Sequence, residues 1–209
     1  MKRVMLIGLS LLLLSACQTR EPMDYSALQA NMPRSILVLP PVNQTTEVQA
    51  PYTYLSTVST PLAERGFYVF PVAVVEAMMR ENGLQDPYEM HQVPMAKLNE
   101  VIDPDAVLYV SIEEWGQKYQ VLSSKSVVSV KAALKDADSG ELLWASEAYA
   151  VDGESQQNNT IGMLIEAAVK QVANSLVDKT HEVSKKANYQ LFNGQRGVLP
   201  GPYFPQTVK

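Results

Sequence analysis

The stretch 127–151 constrains the fold more than any other part of the sequence. Apolar and polar residues alternate over 127–134, which is typical of a strand with one buried and one wet face. Asp, Ser and Gly follow at 136–140, and these residues favour a tight turn because Asp binds backbone amides and Gly tolerates positive φ. An apolar run then returns at 142–151. The pattern predicts an antiparallel hairpin.

Three other apolar runs complete a predicted sheet. They cover 36–39, 67–70 and 106–112, and Pro40-Pro41 and Pro71 end the first two. The uninterrupted runs at 36–39 and 106–112 are typical of strands buried on both faces. Helices are therefore expected on both sides of this part of the sheet.

Helical periodicity predicts helices over 51–65, 72–81, 95–101 and, most clearly, 160–183. The last would be about 36 Å long, enough to cover a whole sheet. It is interpreted as a core-packing helix, and a helix that also supplies a dimer face is the alternative. The fold class is therefore α/β, a mixed sheet flanked by helices with a long C-terminal amphipathic helix.

The N-terminus predicts export. Lys2 and Arg3 precede an apolar stretch, 4–14, that is shorter than the roughly 20 residues a membrane-spanning helix needs. Leu14-Ser15-Ala16-Cys17 follows, and Cys17 is the only cysteine in the chain. This pattern resembles the lipobox of bacterial lipoproteins, which implies a diacylglycerol thioether on Cys17 and an acylated α-amino group. An ordinary secretory signal with a chance cysteine is the alternative.

Four segments follow from these patterns. We predict a signal peptide at 1–16, a polar lipidated tether at 17–34 and an α/β domain at 35–183. Residues 184–209 are rich in Pro, Gly and aromatic residues, and are predicted to be an extended tail that packs on the domain or on a partner. Gln18 stands where inner-membrane lipoproteins of enteric type often carry Asp. By that analogy the anchor lies in the outer membrane, with the periplasmic or surface face left open.

Charge and composition argue against several classes of protein. A formal net charge of −5 does not suit nucleic-acid binding, which needs a basic field. A single cysteine cannot form an internal disulfide, and two histidines argue against a His-rich metal site. No metal and no cofactor is therefore expected.

Candidates for catalysis are few. The sequence has no G-x-S-x-G elbow, P-loop or G-x-G-x-x-G motif. A carboxylate hydrolase would need its acidic residues to converge in one pocket, although neighbours on a strand point to opposite faces. The simpler interpretation of the glutamates is that they are solvated charges at the end of a strand. The second histidine is more simply explained by contacts with the terminal carbonyls of its helix. The residues concerned are His91, His181, Asp103, Asp105, Glu113 and Glu114. We predict no catalytic residue among them.

The predicted hairpin carries a recognisable turn. It reads Asp136-Ala137-Asp138-Ser139-Gly140-Glu141-Leu142-Leu143-Trp144. This run resembles the D-x-x-[ST]-G-x-x-L-W turn of lipoprotein domains of the CsgG, LpoB and TolB N-terminal type. The resemblance implies that Asp136 and Ser139 close the turn and that Trp144 packs behind the next strand. Trp115 is likewise expected in the core.

Two further segments narrow the resemblance. They are Ile36-Leu37-Val38-Leu39-Pro40-Pro41 and Val198-Leu199-Pro200-Gly201-Pro202-Tyr203. Together with the lipobox they resemble a family of Gram-negative lipoproteins that includes a neisserial surface antigen. The resemblance implies a TolB N-terminal-like or CsgG-like α/β domain in a trans-envelope assembly, with other envelope lipoproteins, one of them CsgG-like, as partners. It brings no catalytic residues.

The leading hypothesis is an outer-membrane-anchored, non-enzymatic component of a trans-envelope transport or secretion complex, held by lipid on Cys17. A homodimer is compatible with it. The alternative is an LpoB-like regulator that docks on a periplasmic peptidoglycan enzyme.

Overall fold

The computed structural model describes residues 22–120, 123–152 and 179–205. The predicted signal peptide, Cys17 and residues 160–178 of the predicted long helix lie outside these ranges. Of the helices that are described, none is long and apolar enough to cross a bilayer.

Within those ranges the chain forms six helices and six strands. The helices are α1 (Ser26–Ala30), α2 (Ala50–Glu64), α3 (Val72–Glu81), α4 (Pro87–His91), α5 (Met95–Ile102) and α6 (Thr180–Asn193). The strands are β1 (Ser35–Val38), β2 (Val42–Asn43), β3 (Tyr68–Val69), β4 (Ala106–Gln120), β5 (Ser123–Asp136) and β6 (Leu142–Val151).

The strands form one mixed sheet. Their order is β3-β1-β4-β5-β6, with β2 beside the later part of β4. Strands β3, β1, β2 and β4 run parallel, whereas β4, β5 and β6 are antiparallel. This confirms the predicted fold class and the hairpin.

Strand β1 is buried on both faces, as predicted. Ile36 and Val38 join the larger apolar cluster, which includes residues of α2 and α6. Leu37 and Leu39 join a second cluster on the other face, with residues of α3, α4 and α5. The parallel half of the sheet therefore lies between two helical layers.

Strand β5 has one buried face, as its alternating sequence predicts. Val128 and Val130 are buried in the larger cluster, Ser129 is half-buried and Lys131 is exposed. At the end of β5 the backbone N–H and hydroxyl of Ser139 donate to Asp136 Oδ1 over 2.8 and 2.7 Å. The expected closing of the turn is confirmed.

The central hairpin is longer than predicted. Strand β4 continues to Gln120 instead of ending near Ile112, and β5 begins at Ser123 instead of 127. A register shift between Ile112 and Glu114 interrupts the regular ladder. The extensions are polar and so lack an apolar signal, but backbone pairing between the two strands extends to their ends. Glu113 and Glu114 therefore lie inside a strand.

Two loop predictions also need correction. The segment 42–49 contains the short strand β2, which pairs with β4. The segment 84–105 holds two helices instead of one, because Asp86 caps α4 by accepting a hydrogen bond from the backbone N–H of Tyr88.

The folded part begins before residue 35. Residues 26–30 of the predicted tether form α1, and Leu28 of this helix is fully buried in the larger cluster. The Tyr25 hydroxyl donates to the carbonyl oxygen of Gly197 over 2.7 Å. Met23 also packs against the core. Burial of these scattered apolar side chains orders a segment too short to show helical periodicity.

The C-terminal boundary also differs from the prediction. The predicted helix ends at 183, whereas α6 continues to Asn193. Lys179 was also predicted to be helical, but it precedes the first residue of α6. His181 lies in the first turn of α6, not near its end. A turn follows the helix at 194–196, and residues 194–205 are called the strap below.

The strap packs on the domain. The backbone N–H of Gly201 donates to the carbonyl of Arg65 over 2.7 Å, and that of Tyr203 to the carbonyl of Gly66 over 3.0 Å. The tail was predicted to pack either on the domain or on a partner. The described part of the strap packs on the domain.

Asp105 joins the start of β4 to the start of β1. Its Oδ2 accepts hydrogen bonds from the backbone N–H groups of Arg34 and Ser35, over 2.8 and 2.9 Å, and from the Ser35 hydroxyl over 3.1 Å. Burial by itself raises the pKa of Asp105, but these hydrogen bonds and the Arg34 charge outweigh it, so the pKa is lowered.

Acid is expected to weaken the fold through this carboxylate. Because the pKa of Asp105 is lower in the folded protein, its ionised form stabilises the fold above about pH 4, and the contribution disappears as the pH falls through the folded pKa. Asp105→Asn should lower the free energy of unfolding at pH 7 by about 1 kcal/mol and flatten its acid dependence. Urea unfolding at several pH values tests this, with Glu100→Gln in an exposed ion pair as control. An unchanged acid slope in Asp105→Asn would contradict it.

Candidate functional site

A cleft of about 600 Å³ lies beside α4, on the sheet face that carries the second apolar cluster. Strands β4, β5 and β6 contribute its floor, and Tyr88 and His91 of α4 form a wall. Ala133 and Ala145 are direct partners in the β5–β6 pair. Because both side chains are small, they leave room above the floor.

His91 holds the wall in place. Its Nε2 lies 2.9 Å from the carbonyl oxygen of Pro40, and its ring meets Tyr109 edge-on at 5.3 Å between centroids. A carbonyl can only accept, so Nε2 carries the proton in this hydrogen bond. Burial lowers the pKa of His91, although the bond to Pro40 opposes this effect. His91 is therefore a neutral anchor between α4 and the loop after β1.

The ammonium group of Lys131 on the floor is paired with a carboxylate. Lys131 Nζ lies 3.2 Å from Glu113 Oε2, and the Ser111 hydroxyl donates to Glu113 Oε1 over 2.8 Å. The hydrogen bond from Ser111 and the contact with Lys131 lower the pKa of Glu113. Lys135 Nζ lies 5.2 Å from the centroid of the Tyr109 ring. These contacts hold Glu113 ionised, and a paired, ionised carboxylate is a weak proton acceptor.

The four candidate carboxylates do not converge. Asp105 lies just before β4, and Asp103 ends α5 in a left-handed conformation with φ 55°. Glu113 is eight residues along from Asp105, or about 26 Å at the usual strand rise. Glu114 forms an ion pair with Lys118 still farther along β4. The pocket geometry that a carboxylate hydrolase needs is absent among these residues.

The histidines are also separated. His91 lines the cleft, whereas His181 belongs to α6, which packs on the opposite face of the sheet. In the described part of the chain, no group of three or more His, Cys, Asp or Glu residues is placed to hold a metal ion.

Sequence reasoning missed Tyr109 and Ser111 in the cleft. They occupy alternate positions on β4 and share the face of Glu113. After Val107, every second residue of this otherwise apolar strand has a polar group. This alternation was the sequence signal that one face of β4 lines a polar site. Lys131 was predicted to lie on the wet face of β5, and it does.

Trp144 links the sheet to the strap. Its side chain is buried, its ring lies 5.9 Å from that of Phe192, and Nε1 donates to the carbonyl oxygen of Arg196 over 3.0 Å. The expectation that this tryptophan packs behind the strand is confirmed. Trp115 is half-buried against the same cluster.

Residues 23–203 match the protein family described as "Putative lipoprotein GNA1162-like". The chain belongs to this family. It is 40% identical over 206 residues to "Putative lipoprotein NMB1124/NMB1162" of Neisseria meningitidis serogroup B, a match that covers 96% of each chain. The resemblance drawn from the lipobox, the opening strand and the tail is therefore confirmed.

The fold is similar to that of a solved lipoprotein. The crystal structure of lipoprotein GNA1162 from Neisseria meningitidis matches with a TM-score of 0.55 and 41% identity, over 68% of this chain and 99% of that one. The PelC dodecamer from Paraburkholderia phytofirmans has a TM-score of 0.47 and 16% identity, over 79% of this chain and 90% of that one. Membership of a lipoprotein family supports attachment to a membrane through lipid.

Proposed function

We propose that this chain is an outer-membrane-anchored lipoprotein and a non-enzymatic component, accessory or structural, of a trans-envelope transport or secretion complex. The lipid is attached to Cys17 of the lipobox. Two or three acyl chains meet the two-signal requirement for stable anchoring. The family description and the Leu14-Ser15-Ala16-Cys17 pattern support this anchor.

One structural observation carries the proposed role in a complex, namely a projecting β-ribbon. Among the residues that the structure describes, strand β6 pairs with β5 as far as Val127, and β2 pairs with β4 as far as Ile112. Strands β4 and β5 continue to pair with each other beyond these points. Residues 118–120 and 123–125 are called the ribbon here. A two-stranded ribbon is marginally stable alone, so packing against a partner suits it.

The charge of the ribbon favours an acidic partner surface. Lys118 and Lys125 are direct partners in the β4–β5 register. Like charges placed opposite each other destabilise a strand pair, although Glu114 partly compensates by its ion pair with Lys118. This pair of lysines stands out on a chain with a formal net charge of −5. A cost to folding is consistent with a role in binding.

The cleft supports a non-enzymatic role for the domain. Lys131 is paired with Glu113, and His91 is held by Pro40. Activated nucleophiles need an adjacent base that is free to take a proton. The cleft residues described above do not provide that arrangement.

The proposal is tested by crosslinking with mass spectrometry in cells that make the tagged protein with native Cys17. We expect envelope proteins to be captured, and Cys17→Ala should abolish this capture. Lys118→Ser with Lys125→Ser should reduce capture by about tenfold, which corresponds to a loss of about 1.4 kcal/mol in binding. The matched control is Lys97→Ser with Lys185→Ser, which removes two exposed lysines that also form ion pairs with glutamates.

Three outcomes would contradict the proposal. Capture of only the chain itself, with and without lipid, would indicate a homo-oligomer that acts alone. An equal loss of capture in the ribbon and control variants would show that the ribbon does not bind the partner. Specific capture of a peptidoglycan synthase would instead favour the LpoB-like regulator.

A further inference from the structure

We infer that the end of the domain where the chain enters from its anchor is a surface that contacts the lipid bilayer. This surface, the entry face, consists of Tyr189, Tyr203 and Phe204 with Arg65 and Arg196. The inference rests on the proposed function, because it requires lipid on Cys17.

The short tether limits where this end of the domain can lie. Met23 packs against the core, and only six peptide links separate it from Cys17. Such a segment spans at most about 20 Å even when fully extended, whereas the predicted tether to Arg34 would reach about 60 Å. The folding of α1 onto the domain therefore keeps the entry point close to the membrane. A lipid surface is within reach of this end whatever other partner is present.

The entry face is built around this point. Arg196 Nη2 lies 3.5 Å from Met23 Sδ. Arg65 donates through Nε to the carbonyl oxygen of Val198 over 3.1 Å, and its guanidinium lies 5.9 Å from the centre of the Phe204 ring. Helix α2 ends just before Arg65 and packs against α6, the helix that carries Tyr189. Burial lowers the pKa of Arg65, and Coulombic contact with Tyr25 and Tyr189 opposes this effect. Arg65, Phe204 and the adjacent Tyr203 therefore lie together, and Arg196 lies beside Met23, where the chain enters the domain.

The exposed side chains have the chemistry of a bilayer interface. Tyr189, Tyr203 and Phe204 are 59%, 63% and 40% exposed. Tyrosine is enriched at membrane interfaces because its ring is apolar and its hydroxyl is wet. Arginine binds phosphate groups through several N–H donors. Asp24 also lies at the entry point, and its carboxylate accepts a hydrogen bond from the backbone N–H of Ser26.

The inference also orients the ribbon. Asn31, just after α1, donates to Glu141, just before β6, so α1 ends at the β5–β6 turn. On the entry face, Tyr203 binds Gly66, which stands just before the start of β3, and the start of β3 pairs with the start of β1 at the same end of the sheet as the start of β4. The 15 residues of β4 rise by about 50 Å from that end toward the ribbon. The entry face and the ribbon therefore lie at opposite ends of the sheet, one toward the lipid and one toward a partner.

Depth-dependent fluorescence quenching tests this surface. Cys17 is the only cysteine in the sequence, so a lipidated protein with one introduced cysteine has a single free thiol. Tyr189→Cys and Tyr203→Cys report on the entry face. Tyr52→Cys and Tyr149→Cys are matched controls because these tyrosines are 49% and 53% exposed at the other end of the domain. Each full-length lipidated variant is labelled with a small fluorophore and placed in vesicles of phosphatidylethanolamine and phosphatidylglycerol that contain nitroxide-labelled lipid.

We expect labels at 189 and 203 to lose most of their fluorescence and labels at 52 and 149 to lose none. Equal quenching at all four positions, or none at 189 and 203, would overturn the inference. Self-quenching at 189 and 203 that depends on protein density would instead indicate a second copy on this face, and would also overturn it. Mass spectrometry of the mature N-terminus shows whether Cys17 carries lipid, and so distinguishes a wrong entry face from a wrong proposed function. If Cys17 carries lipid and 189 and 203 stay unquenched, only the entry face is wrong.

Discussion

Gly66→Ala is expected to lower the free energy of unfolding by about 3 kcal/mol, a large part of the 5–15 kcal/mol that is typical of a domain. Gly66 follows α2 with φ +84°, a conformation that costs alanine about 1 kcal/mol. A Cβ there would also lie 2.1 Å from the backbone nitrogen of Phe204. Relieving this overlap requires the strap to move, which adds about 2 kcal/mol.

Gly83→Ala is the matched control for this experiment. Gly83 follows α3 with φ +89°, and no atom lies within 4 Å of its added Cβ. We expect a loss of only about 1 kcal/mol, so the difference between the two variants measures the strap contact. Urea unfolding followed by circular dichroism gives both values. Deleting residues 204–209 should recover part of the loss in Gly66→Ala, and equal losses in the two variants would show that the strap does not press on Gly66.

Trp144→Ala is expected to cost about 3–5 kcal/mol, as is typical of a buried tryptophan. The side chain projects from β6, is almost completely buried and packs against Phe192. Its loss leaves a cavity and removes the hydrogen bond to the carbonyl oxygen of Arg196. The change should therefore loosen the end of α6 and the start of the strap together.

Two other variants separate these contributions. Trp144→Phe keeps most of the ring but leaves the carbonyl oxygen of Arg196 without its donor, which should cost about 1 kcal/mol and speed tryptic cleavage after Arg196. Trp115→Ala removes a tryptophan that is only half-buried, so its loss should be smaller than that of Trp144→Ala. Free energies from urea unfolding rank the three variants. A larger loss for Trp115→Ala would mean that the Trp144 side chain is not the main contact between β6 and the strap.

The elements that could be predicted are those whose signal is local. Helix α3 follows its predicted bounds because proline precedes it and Asn82-Gly83 ends it. The β5–β6 turn could be predicted because the Asp136 carboxylate accepts hydrogen bonds from Ser139, only three residues away. Strand β1 could be recognised because every residue from Ile36 to Leu39 is apolar and Pro40 ends the run. In each case the deciding residues lie within about ten positions of one another.

Other features depend on distant contacts. The outer parts of β4 and β5 are polar, and pairing between the two strands holds them in the sheet. Helix α1 has five residues and is ordered by the burial of Leu28. The cleft arises because Ala133 meets Ala145 across two strands. None of these leaves a periodic signal in its own segment.

The sequence by itself determined the family, the mixed α/β class and the hairpin, because turn chemistry, periodicity and short motifs are properties of neighbouring residues. Only the tertiary structure decided that the tether is short and that the strap packs on the domain. Both depend on contacts between residues far apart, such as Tyr25 with Gly197 and Arg65 with Val198, which are 172 and 133 positions apart. Complementary shape and hydrogen bonding across such distances appear only when the chain has folded.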